Sequence, residues 1–179
     1  MNTGQMMLTI GALALLSFAI LNLNSSLNEN DLGLAQNRYR LEALSLITSY
    51  MEQATMYFFD ECTSDTSSLK HVSDFTLAGN LGAETNDSSQ FDDFDDFNNY
   101  TTIDTGLSGV IYKVMFQVDY VTLVGDSVKH STTRSWHKRM TIKVTDNYDD
   151  PPLLYKNVSG DKVKDTLKIS FVNSYWFYN

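Results

Sequence analysis

The sequence is poor in the residues that most often lock or mark a site. It has one cysteine, Cys62, so no disulfide forms within the chain and cysteine usage gives no redox compartment. Cys62 lies beside Asp60 and Glu61, whose charges raise a thiol pKa, and it lacks the electropositive setting of a reactive thiol. It reads as a small buried side chain near a helix end. Three histidines, His71, His130 and His137, are too scattered for a zinc or histidine-based catalytic site, and His130 and His137, seven apart, fall on opposite faces of a strand. There is no cluster of Lys and Arg, and the formal charge of −9 repels phosphate, which argues against nucleic acid and against charge-driven binding to an anionic membrane. No Asp, Glu, Lys or Arg occurs from Met1 to Asn28, and the first charge is Glu29.

What is present begins with that uncharged stretch. Gln5 to Leu23 is dominated by Leu, Ile, Ala, Met and Phe. As a helix it would be roughly 28 Å long, close to the hydrocarbon thickness of a bilayer. A secretory signal peptide carries basic residues before its apolar core and a small-residue cleavage site after it, whereas here the first basic residue is Arg38 and the run ends in NLNSS. A plain anchor shows basic residues on its cytoplasmic flank, yet only Met, Asn, Thr, Gly and Gln precede Met6. Either orientation is set otherwise, or a basic leader has been removed and Met1 is a processed end. Residues 22–33, NLNSSLNENDLG, hold four Asn, two Ser, an Asp and a Gly, which predicts that a helix loosens or breaks there. From Leu34 helical periodicity returns, with Tyr39, Ala43, Leu44, Ile47, Tyr50, Met51, Ala54, Tyr57 and Phe58 at steps of three or four. Arg40, Glu42, Ser45, Thr48, Ser49, Glu52 and Gln53 fall on the opposite face.

This layout resembles a type IV pilin or a type II secretion pseudopilin. The resemblance covers residues 1–60 by layout and the rest by general architecture. It implies a three-part chain: 1–24 a membrane anchor that becomes filament core, 25–60 a segment that can melt followed by an amphipathic helix, and 61–179 a β-sheet head. It implies removal of a basic leader by a prepilin peptidase, methylation of the new N-terminal residue, residence in the inner membrane before assembly, and export by a pilus assembly machinery into a helical homo-oligomer at the cell surface. The family usually carries glutamate at the fifth mature position, where it meets the terminal amine of a neighbour; here that residue is Gln5, which accepts a hydrogen bond but neutralises nothing. If Gly4 closes the leader instead, Gln5 is the mature end and Thr9 is fifth. The residues expected to carry assembly are Met1, Gln5, Gly11, Ala12, Ala14, Ser17, Phe18 and Leu21, the small ones allowing close helix approach.

The remainder predicts an α+β fold, with the long helix laid on an antiparallel sheet of three or more strands. Residues 73–79 read as a short strand, and 82–106 and 145–162 as long surface loops. In 110–123, Val110, Tyr112, Val114, Phe116, Val118 and Tyr120 alternate with polar residues; in 128–144, Trp136, Met140, Ile142 and Val144 do the same. Gly125 between them suits a tight turn, so the two form a hairpin. A third run, 165–178, sets Leu167, Ile169, Phe171 and Tyr175 on one face.

The most chemical-looking motif is FDDFDDFNN, 91–99. Asp92, Asp93, Asp95 and Asp96 offer hard oxygens, and major pseudopilins hold calcium in a head loop, although the spacing is not that of an EF-hand. The other reading is an acidic loop with Phe91, Phe94 and Phe97 turned inward; Asp146, Asp149 and Asp150 form a second, similar cluster. Sequons at Asn24, Asn86, Asn99 and Asn157 mark surface positions open to glycosylation. The function expected is structural rather than enzymatic: a pilus subunit with roles such as cell adhesion. The alternatives are a pseudopilin or a membrane-anchored extracytoplasmic binding module using loops 83–106 and 145–162. No cofactor is expected apart from the calcium just named.

Overall fold

The computed structural model describes residues 2–64, 70–85 and 87–176. One α-helix, α1, runs Thr3–Thr55. The polar stretch 22–33, expected to loosen or break the helix, is helical throughout. Its Asn, Ser and Gly cost a few tenths to about 1 kcal/mol each against alanine, and none is a proline that would remove a backbone donor. The chain divides into two compact units, one up to Arg38 and one from Tyr39 onward.

From Thr3 onward the first unit is helix, and every residue from 2 to 34 is exposed. In the second unit α1 continues with Ala43, Ile47 and Ala54 fully buried and Tyr39, Leu46, Tyr50, Met51 and Tyr57 packed around them. The predicted apolar face is therefore the packed one, with Leu44 half-buried beside it. Phe58 departs from it at 48% exposure, because α1 has already ended and the chain bends on either side of Phe58. Tyr57 then reaches one core and Phe59 a second, while Phe58 pairs through its backbone with Asp93 in a single parallel bridge.

The sheet contains β1 (Thr101–Thr105), β2 (Ile111–Val124), β3 (Ser127–His130), β4 (His137–Asp146) and β7 (Leu167–Ser174), with β5 (Tyr155–Val158) and β6 (Asp161–Lys164) forming a separate hairpin. The order is β1-β2-β4-β7, with β3 on the far end of β2, and every pairing is antiparallel. The predicted hairpin is present in two stages. Val124 pairs Ser127 across a two-residue turn in which Gly125 has φ +59, a left-handed conformation that glycine adopts without strain. The chain then leaves the sheet at 131–136 and rejoins β2 where Tyr120 pairs Lys138.

Alternation in β2 and β4 turns Tyr112, Val114, Phe116, Val118, Met140, Ile142 and Val144 onto the helix, where all are buried. Each large aliphatic side chain so removed from water is worth about 1.5–3 kcal/mol. Tyr50 meets Phe116 edge-on at 5.1 Å, tying α1 to β2. A second cluster of Phe59, Phe75, Leu81 and Tyr120 lies beyond the end of α1 and takes in Tyr175, which stacks on Trp136.

Three expectations are corrected. Residues 73–79 form a 3-10 turn, Val72–Asp74, then irregular chain, because Phe75 is drawn into the second core. The span 82–106 is no loose loop: Phe91, Phe94 and Phe97 are buried in the main core and β1 pairs with β2. Likewise 145–162 holds the end of β4 and most of the β5–β6 hairpin, whose turn places Ser159 and Gly160 at φ +55 and +100. β7 ends at Ser174, and residues 177 and 178 of the predicted third run lie outside the described residues.

Candidate functional site

Two features carry chemistry, one in each unit. In the first, α1 is long and apolar enough to cross a membrane, and none of its apolar window is buried. Two hydroxyls of the apolar stretch are satisfied within the helix: Thr9 donates to the Met6 carbonyl and Ser17 to the Leu13 carbonyl, each at 2.9 Å. A hydroxyl paired in this way enters hydrocarbon or a helix interface without an orphaned donor. Helical geometry sorts the expected assembly residues onto two faces. Gly11, Ala14, Phe18 and Leu21, at steps of three or four, share one with Ser17 at its margin; Gln5 and Ala12, seven apart, lie on another. Met1 lies outside the described residues.

The second feature is a buried charged cluster where the end of α1, the acidic motif and β4 meet. Lys138 is 0% exposed. Its Nζ donates to the Phe59 carbonyl at 2.7 Å, to Asp60 Oδ2 at 2.8 Å and to Asp95 Oδ1. The ammonium also lies 4.7 Å from the centre of the Phe59 ring and 5.4 Å from that of Tyr120. Asp60 accepts in addition from the Thr76 backbone N–H, at 3.0 Å, and the Thr76 and Tyr120 hydroxyls, both at 3.2 Å.

These surroundings drive the two carboxyls apart. Burial pushes Asp60 up, but the Lys138 charge and the hydrogen bonds it receives prevail, so it is held below the ordinary carboxylate range. For Asp95 burial prevails over the opposing Lys138 charge and the net direction is upward. Asp93 is pushed up to about 8 by burial and then by the charge of Asp95. Burial, with the Asp60 charge next, pushes the half-buried Cys62 thiol up to about 11, the direction expected from its acidic neighbours.

The acidic motif is thus turned mostly inward. Asp93 Oδ1 accepts from the backbone N–H of Asp95 and Asp96, and Asp96 Oδ2 from those of Asp92 and Asp93. Only Asp92 of the four is exposed. Among the described residues no group of three or more His, Cys, Asp or Glu side chains is arranged to hold a metal; of the four calcium candidates Asp93 and Asp96 accept from backbone N–H groups, Asp95 accepts from Lys138, and Asp92 is exposed. In the second acidic cluster Asp146 is buried, accepts from the N–H groups of Tyr148 and Leu154, and shares Lys164 with exposed Asp149. The histidines stay apart: His130 meets Asp119 at 2.9 Å and His137 meets Ser174 at 2.7 Å. Of the sequons, Asn24, Asn99 and Asn157 are exposed and Asn86 lies outside the described residues.

Sequence reasoning missed Lys138, though a signal was present. Lys138 sits between Trp136 and Met140, in the inward register of β4, and a lysine there needs a buried anion. Asp60, directly after buried Phe59, carries no comparable pattern.

The fold is α+β, a long helix with an apolar N-terminal half and an antiparallel β-sheet head. No protein-family model matches the chain, no curated protein matches it, and no solved structure matches it.

Proposed function

We propose that this chain is the structural subunit of an extracellular type IV pilus-like filament, held in the inner membrane by its N-terminal helix and assembled by packing that helix against copies of itself. The observation that carries the reading is the uncharged, wholly exposed helix before Glu29, joined to a head with its own sealed core. An apolar surface of that length needs lipid or other helices to remove it from water. Packing many copies provides the second route, and Gly11, Ala14 and Ser17 supply the small side chains that let backbones approach. In such a core Gln5 receives a hydrogen bond from a neighbour's terminal ammonium. The head tiles the outside, with Asn99 and Asn157 facing solvent.

The deciding experiment is intact mass and N-terminal fragmentation of protein sheared from the cell surface. A methylated Met1, or a methylated Gln5, establishes pilin processing and identifies the mature end. An unmodified Met1 found only in membrane fractions refutes the filament and leaves an anchored binding module.

A further inference from the structure

The buried lysine of β4 is in contact with two buried carboxyl groups, with two aromatic rings beside it. Lys138 is 0% exposed, Asp60 0% and Asp95 3%. An ion pair sealed this deeply gains little over an apolar replacement, so its presence calls for a reason other than stability. Chemistry supplies one. Amide formation between an amine and a carboxylic acid needs a neutral acid as electrophile, a base to strip the ammonium, fixed contact between the reacting atoms, and exclusion of water.

We propose that Lys138 and Asp95 condense into an intramolecular isopeptide bond, with Asp60 as the proton-transfer group. Asp95 Oδ1 is in hydrogen-bond contact with Lys138 Nζ, which holds Cγ within reach of the nitrogen. Asp60 Oδ2 stands 2.8 Å from the same nitrogen and is fixed there by Thr76 and Tyr120. The rings of Phe59 and Tyr120 flank the nitrogen.

The step balances without any co-reactant. Asp60 carboxylate takes one proton from the Lys138 ammonium, and the freed amine attacks Cγ of protonated Asp95. Asp60 returns that proton to the departing hydroxyl as the C–O bond breaks, then takes a second proton from nitrogen as the amide forms. The products are the amide, one water and protonated Asp60; charge and atoms are conserved. The upward shift of Asp95 and downward shift of Asp60 agree with these roles, electrophile and base respectively. The bond ties β4 to the turn Asp95–Phe97 across a sequence separation of 43 residues.

The test is tandem mass spectrometry on a digest of the full chain purified in detergent, with tryptophan fluorescence showing that it is folded. The expected result is a branched peptide joining Lys138 to Asp95, short of the sum of its arms by one water. The intact chain should carry the same one-water deficit against its own calculated mass. Asp95→Ala should restore the full mass, and Asp60→Asn should leave most of the chain unjoined. Linear peptides with unmodified Lys138 and Asp95 from folded wild-type protein overturn the proposal whatever the variants do. A branch to Asp60 overturns the assignment of roles.

Discussion

Replacing Lys138 by methionine tests how the head balances its buried charge. Methionine keeps most of the lysine stem, so the cavity term is small and the loss is electrostatic. The substitution leaves the buried carboxyls of Asp60 and Asp95 without a cation and the Phe59 carbonyl without its 2.7 Å donor. Breaking a buried pair from one side costs about 3–5 kcal/mol. With a urea slope of about 2 kcal/mol/M, the unfolding midpoint should fall by about 2 M. These figures are for the uncondensed chain, in which Lys138 is still a cation; in the condensed chain the substitution removes the amide and the loop it closes instead. Trp136 is a suitable reporter because it stacks on Tyr175 and meets Phe75 at 5.3 Å, beside the cluster. The assay is urea titration of the full chain in detergent, followed by tryptophan fluorescence. Adding Asp60→Asn and Asp95→Asn to the same chain should restore much of the loss, because no uncompensated charge then remains. A loss under about 1 kcal/mol for Lys138→Met alone would refute the argument, since it would mean that the carboxyls find water or neutralise at little cost.

Other outcomes follow from the same geometry. Asp93 is held up to about 8, so its contribution to stability is present below the ordinary carboxylate pKa and is lost as pH rises toward 8; Asp93→Asn should therefore gain on wild type by about 1 kcal/mol or more at pH 9 and differ little at about pH 3, as read by thermal melts. Asp60 has the opposite sign: held low by Lys138, it contributes above the ordinary carboxylate pKa and the contribution disappears as pH falls through its lowered value, so Asp60→Asn should flatten the acid limb of the same curve. A methyl group at Gly106 would lie 2.7 Å from both Glu42 Oε2 and a Tyr112 ring carbon, so Gly106→Ala should cost about 1–3 kcal/mol by overpacking. For the proposed filament, Gly11→Leu with Ala14→Leu in α1 should abolish filaments by electron microscopy of sheared fractions while leaving the melting temperature of the head unchanged, because both residues belong to the N-terminal unit and not to the core of the head.

How far each element could be read depends on the range of the interaction that makes it. The apolar helix, the amphipathic stretch after Leu34 and the alternation of β2 and β4 are nearest-neighbour periodicities, so the sequence carries them directly. The inward turn of Phe91, Phe94 and Phe97 was legible too, because three aromatics at steps of three demand a common core. β1 was hidden because TTIDT has a single large apolar residue, Ile103, which is exposed; its pairing with β2 is an edge contact that local composition does not announce. The interruption at 131–136 was hidden because the polar run Lys129–Ser135 lies between apolar Val128 and Trp136 and carries no period that marks where the pairing stops.

By itself, then, the chain specified the long helix, the alternating strands β2, β4 and β7, their apolar faces and where charge is absent, because side-chain period and burial are coupled residue by residue. Only the tertiary structure decided that Lys138, Asp60 and Asp95 share one dry enclosure, because it takes three segments far apart in sequence to close it. The exposed state of residues 2–34 belongs to both levels. The sequence provides the apolar surface, and the helix carries it exposed.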